Sequence, residues 1–157
     1  MARRSSHSKG FTIAELITVC AIITVLSAIA LPVARFSFRR QKEIQLRERI
    51  RHLTDAIDYY HDLRTNNRIK DQPSIGQGEW PKSLEDLAKP IELVDNQKIR
   101  LLRDRDLVDP MTGKSEWNEL CSSDDPDKSS GCGDNVYDVH SKSTATALDG
   151  KTHYNEW

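Results

Sequence analysis

The sequence predicts an α+β chain: one long N-terminal α-helix, its first half membrane-spanning, packed on a small antiparallel sheet with a loop-rich C-terminus. Three observations carry this reading. From Leu16 to Ala34 there are nineteen consecutive residues without a charge. Beyond them, Leu46, Ile50, Leu53, Ile57 and Tyr60 recur at steps of four and three, the spacing of one helical face. The last hundred residues hold short apolar segments separated by Ser, Asp, Gly and Pro, the pattern of short strands and turns.

The chain has 157 residues, 37% hydrophobic and 30% charged, with a formal net charge of −1. That excludes a protein with several membrane spans. It also excludes a strongly basic nucleic-acid binder, so no nucleic-acid partner is expected. Charge is unevenly placed. The leader carries Arg3, Arg4 and Lys9; residues 35–51 hold seven basic and two acidic residues, a net of +5; residues 52–157 hold thirteen basic and twenty-one acidic, a net of −8.

At ~1.5 Å per residue the uncharged run reaches ~28 Å, close to a ~30 Å hydrocarbon core. A short basic stretch before an apolar run is also the plan of a secretory signal, but no small-x-small cleavage site follows before Arg35. Glu15 is the one charge at the edge of the run, and an ionisable group in a span suggests a function. The alternative is a carboxylate at headgroup level, one turn from the membrane edge. Pro32 removes a backbone donor and predicts a kink or local melting.

Lys9-Gly10-Phe11-Thr12-Ile13-Ala14-Glu15-Leu16 resembles the class III signal of type IV pilins and type II secretion pseudopilins. The resemblance implies a pilin-like fold and cutting by a prepilin peptidase between Gly10 and Phe11, with N-methylation of Phe11. It implies that Glu15 neutralises the N-terminus of an adjoining subunit during assembly, and Pro32 matches the proline common in the span of the family. The domain boundaries are then a cleaved leader at 1–10, a transmembrane and assembly helix at 11–34, and a periplasmic body at 35–157. The helix is expected to run from Phe11 to about Arg64. One count opposes this orientation: the positive-inside rule, applied to the residues flanking the span, would place the C-terminal body in the cytoplasm.

In the body, Glu43/Arg47 and Glu48/His52 are read as exposed pairs four apart, and Tyr59, Tyr60 and His61 as core and rim of the helix. Residues 65–79 are expected to form a polar loop, and Ser83 to cap a short helix with Leu84 and Leu87 facing inward. Residues 99–109 are read as extended, Asp109–Gly113 as a turn, and Ser115–Trp117 as the start of a strand. Asn118–Asn135 is expected to be a loop and Val136–Ser141 a strand, followed by a tail from Lys142 to Trp157. Segments such as Trp80-Pro81, Val108–Gly113, Tyr137–Ser141 and Leu148-Asp149-Gly150 resemble the major pseudopilin branch most.

Cys121 and Cys132 bracket a polar loop and are expected to form a disulfide, the alternative being two thiols in a reducing compartment. Cys20 reads as a small apolar residue in the span. The resemblance suggests calcium as the one expected cofactor, with Asp149 as carboxylate ligand and the loop beginning at Ser141. Against it, the family's acidic turn is replaced by Lys142–Ala147, and Asp149-Gly150 reads equally as a plain turn. Gly113-Lys114-Ser115 lacks the preceding glycine of a phosphate loop, and the alternation from Asp125 lacks the glycine and glutamate of an EF-hand. The histidines form no HExxH, so no enzyme activity is expected. The resemblance implies a structural subunit of a type II secretion pseudopilus that helps move folded proteins across the outer membrane; the alternative is a type IV pilus pilin. Expected partners are copies of itself in a helical homopolymer, minor pseudopilins, the inner-membrane assembly platform and the prepilin peptidase. The expected location is the inner membrane of a Gram-negative-type bacterium.

Overall fold

A computed structural model describes residues 10–70, 78–121 and 135–157. Helix α1 runs from Ile13 to Thr65, 53 residues and about 80 Å of continuous helix. Thr12 starts it: its Oγ1 accepts the Glu15 N–H at 3.2 Å and its carbonyl accepts the Leu16 N–H at 3.1 Å. Asn67 ends it with a left-handed φ of 51°. The Arg68 N–H then reaches the Leu63 carbonyl and the Asn67 N–H the Arg64 carbonyl, a paired closure of the last turn. Helix runs unbroken through Pro32. The local melting expected there is not seen, because a single missing N–H leaves the flanking hydrogen bonds in place.

The chain divides into two compact units after Arg39. In the first, every large apolar side chain of the helix from Ile13 to Val33 is exposed, from 45% at Val19 to 80% at Ile13. In the second, α1 buries Leu46, Leu53, Ala56, Ile57 and Leu63, with Ile50 and Tyr60 partly covered beside them. This is the face that the steps of four and three mark out. Tyr59 is exposed, and His61 lies flat on Trp80 with ring centroids 3.9 Å apart.

The rest of the second unit covers that face. Helix α2 (Leu84–Ala88) buries Leu84, Leu87 and Ala88. Ser83 is its N-cap residue but makes no side-chain cap bond; the Leu84 N–H is accepted by Glu119 Oε1 at 3.1 Å. A carboxylate 35 residues away thus does what the local serine was expected to do.

The strands form two separate antiparallel pairs, where a single small sheet was expected. Strands β1 (Ile91–Glu92) and β2 (Lys98–Ile99) make a short hairpin, and Ile69 bridges to Leu93 beside it. Leu63, Ile69 and Leu93 pack there as a small second core. Strands β3 (Trp117–Cys121) and β4 (Val136–Ser141) pair Trp117 with Ser141 and Glu119 with Val139, with a register shift at Leu120/Cys121. β4 has the span read from its alternation, whereas β3 extends into the segment expected to be loop. Residues Asp104–Leu107 form a 3-10 helix rather than extended chain. Its Leu107 carbonyl accepts the Trp117 indole N–H at 2.6 Å, fixing β3 to the segment before it. Together with Leu102, Val136, Val139, Ala147 and Tyr154, these elements enclose one main core.

Candidate assembly helix and the body that carries it

Gly10 and Phe11 precede the first helical turn and are both exposed, Phe11 at 82%. Glu15 sits three residues after the cap residue Thr12, so its carboxylate lies in the first turn, where free N–H groups and the helix dipole favour negative charge. Thr12-x-x-Glu15 is thus the spacing of a capping box, a local role for Glu15 that was readable in the sequence.

Along the apolar run both threonine hydroxyls are satisfied internally. Thr18 Oγ1 donates to the Ala14 carbonyl at 2.8 Å, and Thr24 Oγ1 to the Cys20 carbonyl at 2.7 Å. Such back-bonding lets a hydroxyl enter hydrocarbon without an orphaned donor. Cys20 is a free, exposed thiol. The described residues contain one helix long and apolar enough to cross a membrane, and this is it.

The body-side half of α1 is tied down by polar bonds that sequence spacing did not reveal. Glu43, expected to pair with Arg47 at the surface, instead accepts the Leu148 N–H at 2.7 Å and the Tyr154 O–H at 2.8 Å through Oε1. Tyr154 is fully buried and meets Trp157 edge to face, 5.2 Å between centroids. The Arg47 guanidinium lies 4.2 Å over the Trp157 ring. Further along, Arg49 pairs with Asp106. Burial pushes the Asp106 carboxyl up, but the Arg103 N–H and the Arg49 guanidinium outweigh it, and the net shift is down.

The two residues expected to contribute to a calcium site, Ser141 and Asp149, both make hydrogen bonds within the chain. Ser141 is buried, and its Oγ donates to Asp109 Oδ2 at 2.7 Å and accepts the Ser143 N–H at 3.0 Å. Asp109, also fully buried, accepts the Met111 N–H at 2.7 Å through its side chain, and its carbonyl accepts the Gly113 N–H at 2.8 Å, which closes the Asp109–Gly113 turn. Gly113 has a φ of 72° there, a backbone geometry that favours glycine. Asp149 accepts the N–H groups of Lys151 and Thr152 and the Thr152 hydroxyl, bonds that lower its pKa in that order. Ser141 thus ties β4 to Asp109, and Asp149 organises the turn that follows it. Among the described residues no three His, Cys, Asp or Glu side chains are grouped to hold a metal ion.

Cys121, at the end of β3, is disulfide-bonded. Its expected partner Cys132 lies outside the described residues, as do most of the leader and the stretch beginning at Asp125. No protein-family model, curated protein or solved structure matches the chain.

Proposed function

We propose that this chain is a pilin-like filament subunit, a pseudopilin of a type II secretion apparatus, whose mature form begins at Phe11. The observation that carries the proposal is the fully exposed apolar half of α1, headed by an accessible Gly10-Phe11 junction and a first-turn Glu15. An apolar helix that finds no cover in its own fold must be covered by lipid or by other helices. A subunit held in the membrane before assembly and in a helical bundle afterwards uses both covers in turn. Cutting at Gly10-Phe11 leaves an ammonium group four residues before Glu15, and the carboxylate of one copy neutralises the terminus of the next. In a dry bundle that pairing fixes register more than it adds net stability. The Cys121 disulfide supports a body in an oxidising compartment, the periplasmic side of the inner membrane.

The test is co-expression with a prepilin peptidase and intact-mass analysis of the membrane fraction. The expected product starts at N-methylated Phe11, and Gly10→Leu abolishes it. Glu15→Leu should be processed and inserted yet give few or no filaments. Retention of Met1 in the presence of the peptidase, or a normal filament yield from Glu15→Leu, would overturn the proposal.

A further inference from the structure

Within the body unit, the face of α1 turned away from the core is ordered by charge. Arg40, Ile44, Arg47 and Arg51 continue into Asp55, Asp58 and Asp62 at steps of four and three, so they share one face, and all are exposed. Leu46, Leu53 and Ile57 are buried on the other side. Arg47 lies over the Trp157 ring. Among the described residues, none of these three arginines or three aspartates makes an ion pair. The stripe is thus positive from 40 to 51 and negative from 55 to 62. Ile44, 51% exposed, lies in its positive end, and Tyr59, 52% exposed, stands beside its negative end. We infer that the stripe is a contact between copies of this chain that closes only when two parallel copies are offset along α1 by about fifteen residues, and that holds copies at equal height apart.

Charge complementarity selects the partner. An anionic lipid or a nucleic acid would take the arginines and be repelled by the aspartates, and a cationic partner would do the reverse. A second copy carries both signs at the same spacing. Two copies anchored in one membrane by the same end of α1 run parallel, and in that step the inference rests on the function proposed above. At equal height arginine then faces arginine and aspartate faces aspartate. An offset of eleven residues (47 to 58, 51 to 62) brings Arg47 to Asp58 and Arg51 to Asp62 but sets Arg40 against Arg51. An offset of fifteen (40 to 55, 47 to 62), roughly 22 Å of helix, sets Arg40 against Asp55 and Arg47 against Asp62 and opposes no like charges along the stripe. It also brings Ile44 level with Tyr59, covering two apolar side chains that the fold leaves exposed. One copy uses the positive end and its neighbour the negative end, so the contact is heterologous and does not close on itself. A subunit beside another in the membrane is therefore repelled until one of them is raised.

Thiol cross-linking of the full chain tests this, in cells that supply the prepilin peptidase and the assembly platform and with Cys20→Ala removing the free thiol. Ile44→Cys with Tyr59→Cys leaves every charge of the stripe in place. The pair should give a ladder of dimers and longer species, and either substitution alone should give several-fold less dimer. Arg40→Glu with Arg47→Glu should lower the ladder on the order of fivefold, the size expected of two exposed ion pairs. Adding Asp55→Arg and Asp62→Arg should restore it, and unchanged helical circular dichroism shows that each variant is folded. Single variants that cross-link as well as the pair would place the copies at equal height and overturn the inference. So would a ladder indifferent to charge reversal, or one that the full swap fails to restore. Filaments without the shifted cross-link overturn the inference alone, whereas a shifted ladder without filaments supports it and counts against the filament reading.

Discussion

The two halves of α1 share a backbone conformation and little else. From Ile13 to Arg39 no side chain is buried, whereas five of those from Arg40 to Thr65 are. Ten of the twenty-one residues from Ile13 to Val33 are β-branched, against five of the twenty-six from Arg40 to Thr65. In water the first composition is a poor helix former, because branched side chains lose rotamer freedom against the preceding turn. In hydrocarbon that preference matters little, since an unpaired backbone group costs far more than a restricted rotamer. The second half is rich in Arg, Glu, Gln and Leu, which favour helix in water, and gains the rest from packing. If the first half sits in lipid, as proposed, one helix answers to two solvents, and each half should fail in its own way.

The largest expected effect comes from truncating the same residue type in each half. Leu53 is fully buried in the main core, so Leu53→Ala should lower body stability by about 2–5 kcal/mol. Leu26 is 62% exposed, and Leu26→Ala should leave body stability unchanged. Denaturant unfolding of the full chain in micelles, followed by tryptophan fluorescence, measures both, as Trp80, Trp117 and Trp157 all belong to the body unit. Equal losses in the two variants would break the division of α1 into two halves.

The glutamates sharpen the same contrast. Glu15 is exposed in the first turn, while Glu43 Oε1 accepts both the Leu148 N–H and the Tyr154 O–H. Glu43→Leu should cost about 1–3 kcal/mol, because it removes the acceptor that the Leu148 N–H and the Tyr154 O–H share. Glu15→Leu should leave the body's unfolding curve unmoved, whatever it does to assembly. The same unfolding assay, run on the two variants side by side, checks this.

These glutamates also show what could be read in the sequence. The apolar face of α1, the span of β4 and the Asp109–Gly113 turn were legible because each depends on neighbours within a few residues. Leu46, Leu53 and Ile57 announce themselves by spacing alone. Glu43 does not: a glutamate four residues before an arginine looks like a surface pair, and only the fold brings Tyr154 to it, 111 residues later. Glu119 capping α2 and the Leu107 carbonyl holding Trp117 are hidden for the same reason. The start of β3 at Trp117 is legible, but Asn118–Cys121 opens a stretch rich in Ser, Asp, Gly and Pro without periodicity, and only pairing with β4 makes it strand. Of the proposed assembly region, the long apolar helix was legible from residue order alone. The capping role of Thr12 was equally plain in Thr-x-x-Glu but was masked by the stronger signal around it.

The smallest expected effect concerns the charge that ties the second half of α1 to the body. Asp106 meets Arg49 of α1, and its carboxyl is held below the ordinary range once the Arg103 N–H and Arg49 guanidinium overcome the effect of burial. A carboxyl with a lowered folded pKa binds protons less readily in the folded chain than in the unfolded one. Its stabilisation is therefore complete above the ordinary carboxylate value and lost as pH falls through the lowered one. Glu119 has the opposite sign: burial pushes it up, against the Leu84 N–H it accepts, with the nearby charges of Glu85 and Asp86 adding to the rise. Its ionisation costs stability, and that cost appears as pH rises from the ordinary value through the raised one. Asp106→Asn should thus destabilise at neutral pH by no more than about 1 kcal/mol, with the difference from wild type shrinking in acid. Glu119→Gln keeps an oxygen for the Leu84 N–H while removing the buried charge. It should be neutral or slightly stabilising at pH 7 and indistinguishable from wild type in acid. Thermal melts of the two variants across the acidic range decide the matter. A constant offset for Asp106→Asn at every pH would mean that shape, not charge, holds this half of α1 in place.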